Sequence, residues 1–142
     1  MFLIDSNIFL EALIGKENKE SCEAFLEELS IGNINGAITL YAIHSVVLIL
    51  SGKGMNRQAE LFLGFLKGSN GVMIYSQSID EDIEILRLME KTLLDYDDCI
   101  QYFGAKKLGA DAIVSFDKHF DKTDIERITP KQALERGFHA NR

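Results

Sequence analysis

The sequence lacks the features that mark several special classes of protein. Its 142 residues include one proline, two cysteines and no tryptophan. A single proline and the lack of a low-complexity tract argue against a disordered arm or linker. Cys22 and Cys99 are isolated and without metal-ligand spacing, so we expect both to be buried as small apolar residues. With 46% apolar and 26% charged residues, the composition predicts one globular domain over residues 1–142.

A long hydrophobic run is also lacking. The longest apolar stretch, around residues 46–50, is far shorter than the roughly 20 residues that a membrane span needs. No basic segment precedes the apolar run at the N-terminus, so this run does not resemble a signal peptide. We therefore expect no membrane segment and a cytoplasmic location.

Positive charge is scarce, because 15 lysines and arginines face 22 aspartates and glutamates, for a net charge of −7. This balance disfavours non-specific binding of nucleic acid over the whole surface. Five cations nonetheless fall in the last third of the chain: Lys106, Lys107, Lys118, Lys122 and Arg127. Two interpretations stay open. These side chains form a basic rim for a phosphate backbone beside an acidic pocket, or they are solvated on helix faces.

Short apolar runs alternate with helical patterns along the chain. The predicted strands are residues 2–4, 37–40, 72–75, 112–115 and 125–128. Helices between successive strands favour parallel pairing, so we predict an α/β fold, a three-layer α/β/α sandwich with a central, mainly parallel sheet. The helix predicted at residues 41–51 is apolar nearly all round, which places it either at the centre or against a partner chain.

Three aspartates occupy positions where the loops of a parallel sheet gather. Asp5 ends the first strand, Asp117 follows the fourth, and Asp98 lies in the first turn of a helix that begins near Asp95. Ligands of open α/β sheets bind outside the carboxyl ends of the strands, so we expect the three carboxylates to converge. Two carboxylates about 4 Å apart repel by roughly 4 kcal/mol at an effective dielectric near 20. A bound Mg²⁺ or Mn²⁺ would relieve this repulsion, which makes phosphodiester chemistry the first hypothesis.

Other polar side chains near these aspartates are candidates for orienting the carboxylates. They are Ser6, Asn7, Asp97, Ser115 and Asp121. Lys118 is a candidate for binding the substrate strand. Structural interpretations stay open beside these, because Asp5 can cap the following helix and the acids near residue 98 can interact with a helix dipole.

The chain contains three segments in order: FLIDSNIFLE, DDCIQYFGAKKLG and VSFDKHFD. Together they resemble the PIN domain family, which includes metal-dependent ribonucleases such as the VapC-type toxins of prokaryotic toxin–antitoxin pairs. The resemblance covers nearly the whole chain. It implies an endoribonuclease in which Asp5, Asp98 and Asp117 are catalytic and hold Mg²⁺ or Mn²⁺. It also implies an RNA substrate, commonly single-stranded, an antitoxin protein as partner, and a homodimer.

One family feature is missing. The family usually supplies a glutamate from the helix after the second strand, whereas here no acid lies between Glu28 and Glu60. His44 or Ser45 occupies the expected position. His44 is either a hydrogen-bonded core histidine, the commoner case, or a pocket residue in place of the acid, and Ser45 could hold a metal-bound water.

The missing acid leaves more than one function open. The leading hypothesis is an active metal-dependent endoribonuclease with three aspartates. The alternative is a catalytically impaired PIN fold that binds RNA or a protein. A third, weaker hypothesis is a phosphate-receiving domain or phosphatase built on the acidic strand ends.

Overall fold

A computed structural model describes residues 1–140, with side chains described as far as Gly137. Within that range, five short strands form one sheet in which every neighbouring pair is parallel. The strands are β1 (Phe2–Ile4), β2 (Gly36–Thr39), β3 (Val72–Tyr75), β4 (Ala112–Val114) and β5 (Arg127–Ile128). Their order across the sheet is β3-β2-β1-β4-β5, so β1 lies at the centre.

Helices connect successive strands and cover both faces of the sheet. The α-helices are α1 (Ser6–Ile14), α2 (Lys19–Ile31), α3 (Leu40–Gly52), α4 (Asn56–Gly68), α5 (Ile79–Met89), α6 (Tyr96–Leu108) and α7 (Pro130–Ala140). A short 3₁₀ helix (Lys118–Lys122) follows β4. The helices α1, α2, α3, α4 and α7 pack together, and α5 packs against α6, which contacts β1 and β2. The predicted three-layer α/β/α sandwich is confirmed, and its sheet is wholly parallel in the described residues.

Alternate side chains of the strands enter two separate cores. Phe2 and Ile4 of β1 belong to the core shared with α1, α2 and α3. Leu3 belongs to the other core, with Ala105 of α6 and Phe120 of the 3₁₀ helix. Full burial of one large apolar side chain stabilises the fold by about 1.5–3 kcal/mol. A shift of one residue would exchange the two faces, so this alternation fixes the position of each strand end.

Local signals set most of the helix ends. The side chain of Ser78 accepts from the backbone N–H of Glu81, and the Glu81 side chain accepts from the backbone N–H of Ser78, which forms a capping box at the start of α5. Gly109 ends α6 in the left-handed conformation, with a φ of 65°. Cys22 and Cys99 are both buried, as predicted.

Several predicted boundaries differ from the structure. β2 ends at Thr39 rather than at residue 40, because the Thr39 hydroxyl accepts from the N–H of Ala42 and begins α3. The fifth strand is two residues long instead of four. α7 continues through Gly137 to Ala140. The last two residues of the chain lie outside the described range.

No helix in the described residues is both long enough and apolar enough to cross a bilayer.

Candidate metal and active site

The central pair of strands places the first acidic group. Ile4 of β1 pairs with Val114 of β4, and the N–H of Asp5 donates to the carbonyl of Val114. The next residues on the two strands, Asp5 and Ser115, therefore lie side by side at the carboxyl edge of the sheet. The Ser115 hydroxyl donates to Asp5 Oδ2 over 2.6 Å.

The Asp5 carboxylate is surrounded by hydrogen-bond donors. Besides Ser115, it accepts from the N–H of Ser6 at 2.8 Å, the hydroxyl of Ser6 at 3.4 Å and Nδ2 of Asn7 at 3.1 Å. Asp5 is 8% exposed. Burial raises the pKa of Asp5, while the hydrogen bonds from Ser115 and the Ser6 backbone oppose that rise and Asp117 adds to it. This arrangement fixes the orientation of the carboxylate at the N-terminus of α1.

A fifth donor comes from Gln101, a residue that the sequence patterns did not single out. Its Nε2 donates to Asp5 Oδ1 at 3.2 Å, and its Oε1 accepts from the hydroxyl of Thr39 at 2.8 Å. The Gln101 amide thus joins the ends of β1 and β2 to α6. The available signal was its position three residues after Asp98, which puts both side chains on one face of the helix.

A second group of side chains consists of Asp98, Asp117 and His119. His119 Nδ1 lies 3.2 Å from Asp98 Oδ2 and 3.1 Å from Asp117 Oδ1. One ligand atom of each of the three residues lies within 4.8 Å of the others. Asp117 precedes the 3₁₀ helix and accepts from the backbone N–H of His119, so the start of this helix places the imidazole. Sequence reasoning missed His119, although it lies two residues after Asp117 in the segment already quoted.

The site carries an excess of negative charge. Burial, then Asp117, then Asp97 raise the pKa of Asp98 to about 6, while His119 lowers it and Asp5 raises it further. The Ser115 hydroxyl donates to Asp5 and accepts from the N–H of Asp117, and His119 contacts both Asp98 and Asp117, so the three carboxylates share one region of the sheet edge, as predicted. Carboxylate oxygens and an imidazole nitrogen that converge under mutual repulsion are a donor set that fits a divalent cation.

The remaining candidates differ in their surroundings. Ser6, Asn7 and Ser115 contact Asp5, and the Ser115 hydroxyl also accepts from the N–H of Asp117 at 2.9 Å. Asp97 is exposed and lies in the acidic start of α6. Asp121 is exposed and bound by Arg127 through hydrogen bonds of 2.8 and 3.2 Å.

The predicted basic rim is partly neutralised by acids. Lys106 pairs with Asp124 at 2.8 Å, and Arg127 pairs with Asp121. Arg127 also donates to the carbonyl of Ser115 at 3.1 Å, which anchors the strand end next to Asp117. Lys118 is exposed at the start of the 3₁₀ helix. Lys106 and Arg127 therefore form ion pairs within the protein and are less available to a phosphate backbone than the basic-rim interpretation requires.

The interpretation of His44 as a core histidine was wrong. The buried residues of α3 are Ala42, Ile43, Val46 and Leu50. His44 is exposed, since it lies about half a turn from the face that these residues form. Ser45 is half-buried, and α3 offers no carboxylate.

Comparisons with known proteins agree with this architecture. The family model described as the PIN domain matches residues 2–126. The chain is 27% identical over 132 residues to a VapC ribonuclease of Aquifex aeolicus (strain VF5), covering 92% of this chain and 97% of the relative. A toxin–antitoxin complex from Klebsiella pneumoniae matches in fold with a TM-score of 0.68 at 18% identity, covering 92% of this chain and 98% of that one. VapC20 of Mycobacterium tuberculosis, a toxin that cleaves the sarcin–ricin loop, matches with a TM-score of 0.75 at 12% identity, covering 92% and 100%.

Proposed function

The chain belongs to the PIN domain family, and from that premise we propose that it is a metal-dependent endoribonuclease, the toxin of a toxin–antitoxin pair. The observation that carries the proposal is the meeting of Asp98 and Asp117 beside the buried Asp5 at the carboxyl edge of the sheet. Similarity to a VapC ribonuclease over 92% of the chain supports the choice of RNA as substrate.

Asp5, Asp98 and Asp117 would hold Mg²⁺ or Mn²⁺. When bound, a divalent ion lowers the pKa of water to give a nucleophile near neutral pH and neutralises charge on the scissile phosphate. Asp98 and Asp117 would provide carboxylate oxygens, and Asp117, whose side chain is 32% exposed, lies on the side of the site that a phosphodiester can approach. Asp5, fixed by its donors, contributes negative charge from the buried side.

Neighbouring residues hold the carboxylates in place. Ser115 and Asn7 orient the carboxylate of Asp5, and Ser115 also receives the N–H of Asp117. Lys118, exposed next to Asp117, would bind the backbone of a single-stranded RNA. The strong negative charge of the chain confines RNA binding to the neighbourhood of the metal.

Two protein partners belong to the proposal. An antitoxin is suggested by the similarity in fold to a toxin–antitoxin complex. A second copy of the chain is suggested by the exposed apolar side chains Leu48 and Ile49 on α3.

The alternative function is a catalytically impaired PIN fold that binds RNA or a protein. The observation in its favour is α3, which offers no acid toward the site and presents His44 to solvent. Three carboxylates without the fourth give a site of lower negative charge, and hence of lower affinity for a cation.

Cleavage of a mixed panel of single-stranded RNAs tests the proposal, with DNA of the same sequences as a comparison. We expect cleavage by the wild type in Mn²⁺ or Mg²⁺, none with chelator, and a loss of at least about 100-fold in Asp98→Asn. Asp80→Asn, an exposed acid in the first turn of α5, is the matched control and should retain activity. Equal activity in Asp98→Asn would remove Asp98 from the site. No cleavage and no Mn²⁺ binding by calorimetry at millimolar ion would favour the alternative.

A further inference from the structure

His119 occupies a position that the three-aspartate site does not use. Its Nδ1 faces both Asp98 and Asp117, at 3.2 and 3.1 Å from one oxygen of each. His119 lies in the first turn of the 3₁₀ helix, and its backbone N–H donates to Asp117. Its side chain is 59% exposed, against 13% for Asp98 and 32% for Asp117, so the imidazole is on the solvent side of the two carboxylates.

The spacing of these atoms matches the ligand shell of a small divalent ion. Ligands about 2.1 Å from an octahedral ion are about 3.0 Å apart when they are adjacent. The distances from His119 Nδ1 to the two carboxylate oxygens are within about 0.2 Å of that value. A neutral imidazole also adds a donor atom without adding negative charge to a site whose carboxylates already repel one another.

We propose that His119 Nδ1 directly ligates the divalent ion held by Asp98 and Asp117, so that one nitrogen ligand joins the carboxylate oxygen ligands of the site. This inference rests on the proposed function, because it assumes that the site binds a divalent ion. A nitrogen ligand favours transition ions, whereas Mg²⁺ prefers oxygen and keeps its waters. The site therefore selects Mn²⁺ over Mg²⁺, and His119 partly replaces the donor that α3 lacks.

Pulsed electron paramagnetic resonance of the Mn²⁺-loaded full-length protein tests the ligand directly. We expect ¹⁴N couplings of a bound imidazole in the wild type, replaced by ¹⁵N couplings when histidine is labelled. The signal should vanish in His119→Ala and persist in His44→Ala, an exposed histidine on α3 that serves as the matched control.

Calorimetry of the same proteins tests the ion preference. His119→Ala should weaken Mn²⁺ binding by about 10- to 100-fold, since loss of even an outer partner of a metal ligand has effects of that size. Mg²⁺ binding should change by a much smaller factor, so the Mn²⁺/Mg²⁺ selectivity falls. His119 is 59% exposed, so we expect the variant to fold, and circular dichroism checks this.

The outcomes separate this inference from the proposed function. Mn²⁺ bound by the wild type without nitrogen coupling, and with unchanged selectivity in His119→Ala, would overturn the ligand assignment and leave the metal site in place. Failure of the wild type to bind Mn²⁺ at millimolar ion would overturn both.

Discussion

At the scale of single residues, two buried aspartates satisfy their charge in different ways. Asp5 accepts hydrogen bonds from four neighbours: Ser6, Asn7, Gln101 and Ser115. Asp98 instead faces Asp117 and His119, and its pKa is raised to about 6. Burial raises the pKa of both carboxyl groups, so a cation that faces them would relieve unfavourable negative charge at each.

The raised pKa of Asp98 predicts how stability depends on pH. The pKa of Asp98 is higher in the folded protein than the ordinary value near 3.9, so the folded state binds its proton more tightly. Its contribution to stability therefore decreases as pH rises from about 4 to about 6, and is constant above that. In chelator, Asp98→Asn should raise the free energy of unfolding at pH 7.5 by about 1–3 kcal/mol, on the basis of ~1.4 kcal/mol per pKa unit. Urea unfolding at pH 4.5 and pH 7.5 measures this effect.

The same experiment has an internal control. Asp80→Asn, which changes an exposed acid outside the site, should leave the difference between the two pH values unchanged. A decrease in stability of Asp98→Asn at pH 7.5 in chelator would contradict the electrostatic account of Asp98.

The sequence predicted those candidate site residues that come directly after parallel strands. Asp5 and Asp117 come after β1 and β4, and a parallel sheet brings such ends to one edge. Gln101 and His119 were missed because the sequence does not show in which direction their side chains extend in the fold. His44 was misplaced because α3 is apolar on several faces, which hides the direction of its buried side.

At the scale of elements, the connection from α4 to β3 depends on one close backbone approach. The N–H of Gly71 donates to the carbonyl of Leu29 at 3.0 Å, and its carbonyl accepts from the N–H of Gly36 at 2.8 Å. A Cβ on Gly71 would lie 2.2 Å from the carbonyl oxygen of Ile34 and 2.5 Å from that of Leu29. Both atoms are backbone, so neither can move without shifting α2 or β2.

Gly71→Ala is therefore expected to destabilise the fold by more than about 2 kcal/mol, because it creates steric strain that side-chain motion cannot relieve. Gly64→Ala is the matched control, since Gly64 lies in α4 and a Cβ there meets nothing within 4 Å. That change should stabilise the protein by about 0.5–1 kcal/mol through helix propensity. Urea unfolding of both variants measures the two effects, and similar values would refute the steric explanation.

Element boundaries were predictable where a side chain marks them and less so elsewhere. The capping box of Ser78 and Glu81 gave the start of α5 directly. The 3₁₀ helix was missed, because five residues are too few to display a helical period. A glycine is also an ambiguous signal, because Gly109 ends α6 whereas α7 continues through Gly137.

At the scale of the whole molecule, the net charge limits the binding of RNA, whereas the exposed apolar side chains favour a protein partner. A net charge of −7 limits where a polyanion can bind, and Lys106 and Arg127 are engaged by acids. The proposed RNA recognition would then depend on a cation bound at the site and on a few basic side chains near it, such as Lys118. Exposed apolar side chains, in contrast, lie on several elements, among them Leu48 and Ile49 of α3 and Ile74 of the edge strand β3.

The exposed apolar side chains of α3 predict self-association through this helix. Leu48 is 71% exposed and Ile49 beside it is 40% exposed. Such side chains favour burial against a second copy, because removing apolar area from water contributes about 25 cal/mol per Å². Leu48→Glu should shift the dimer toward monomer in sedimentation equilibrium, since a charge would be buried at the contact. Leu93→Glu, at a position 83% exposed between α5 and α6, should have no effect, and a wild type that is monomeric at tens of micromolar would refute the prediction.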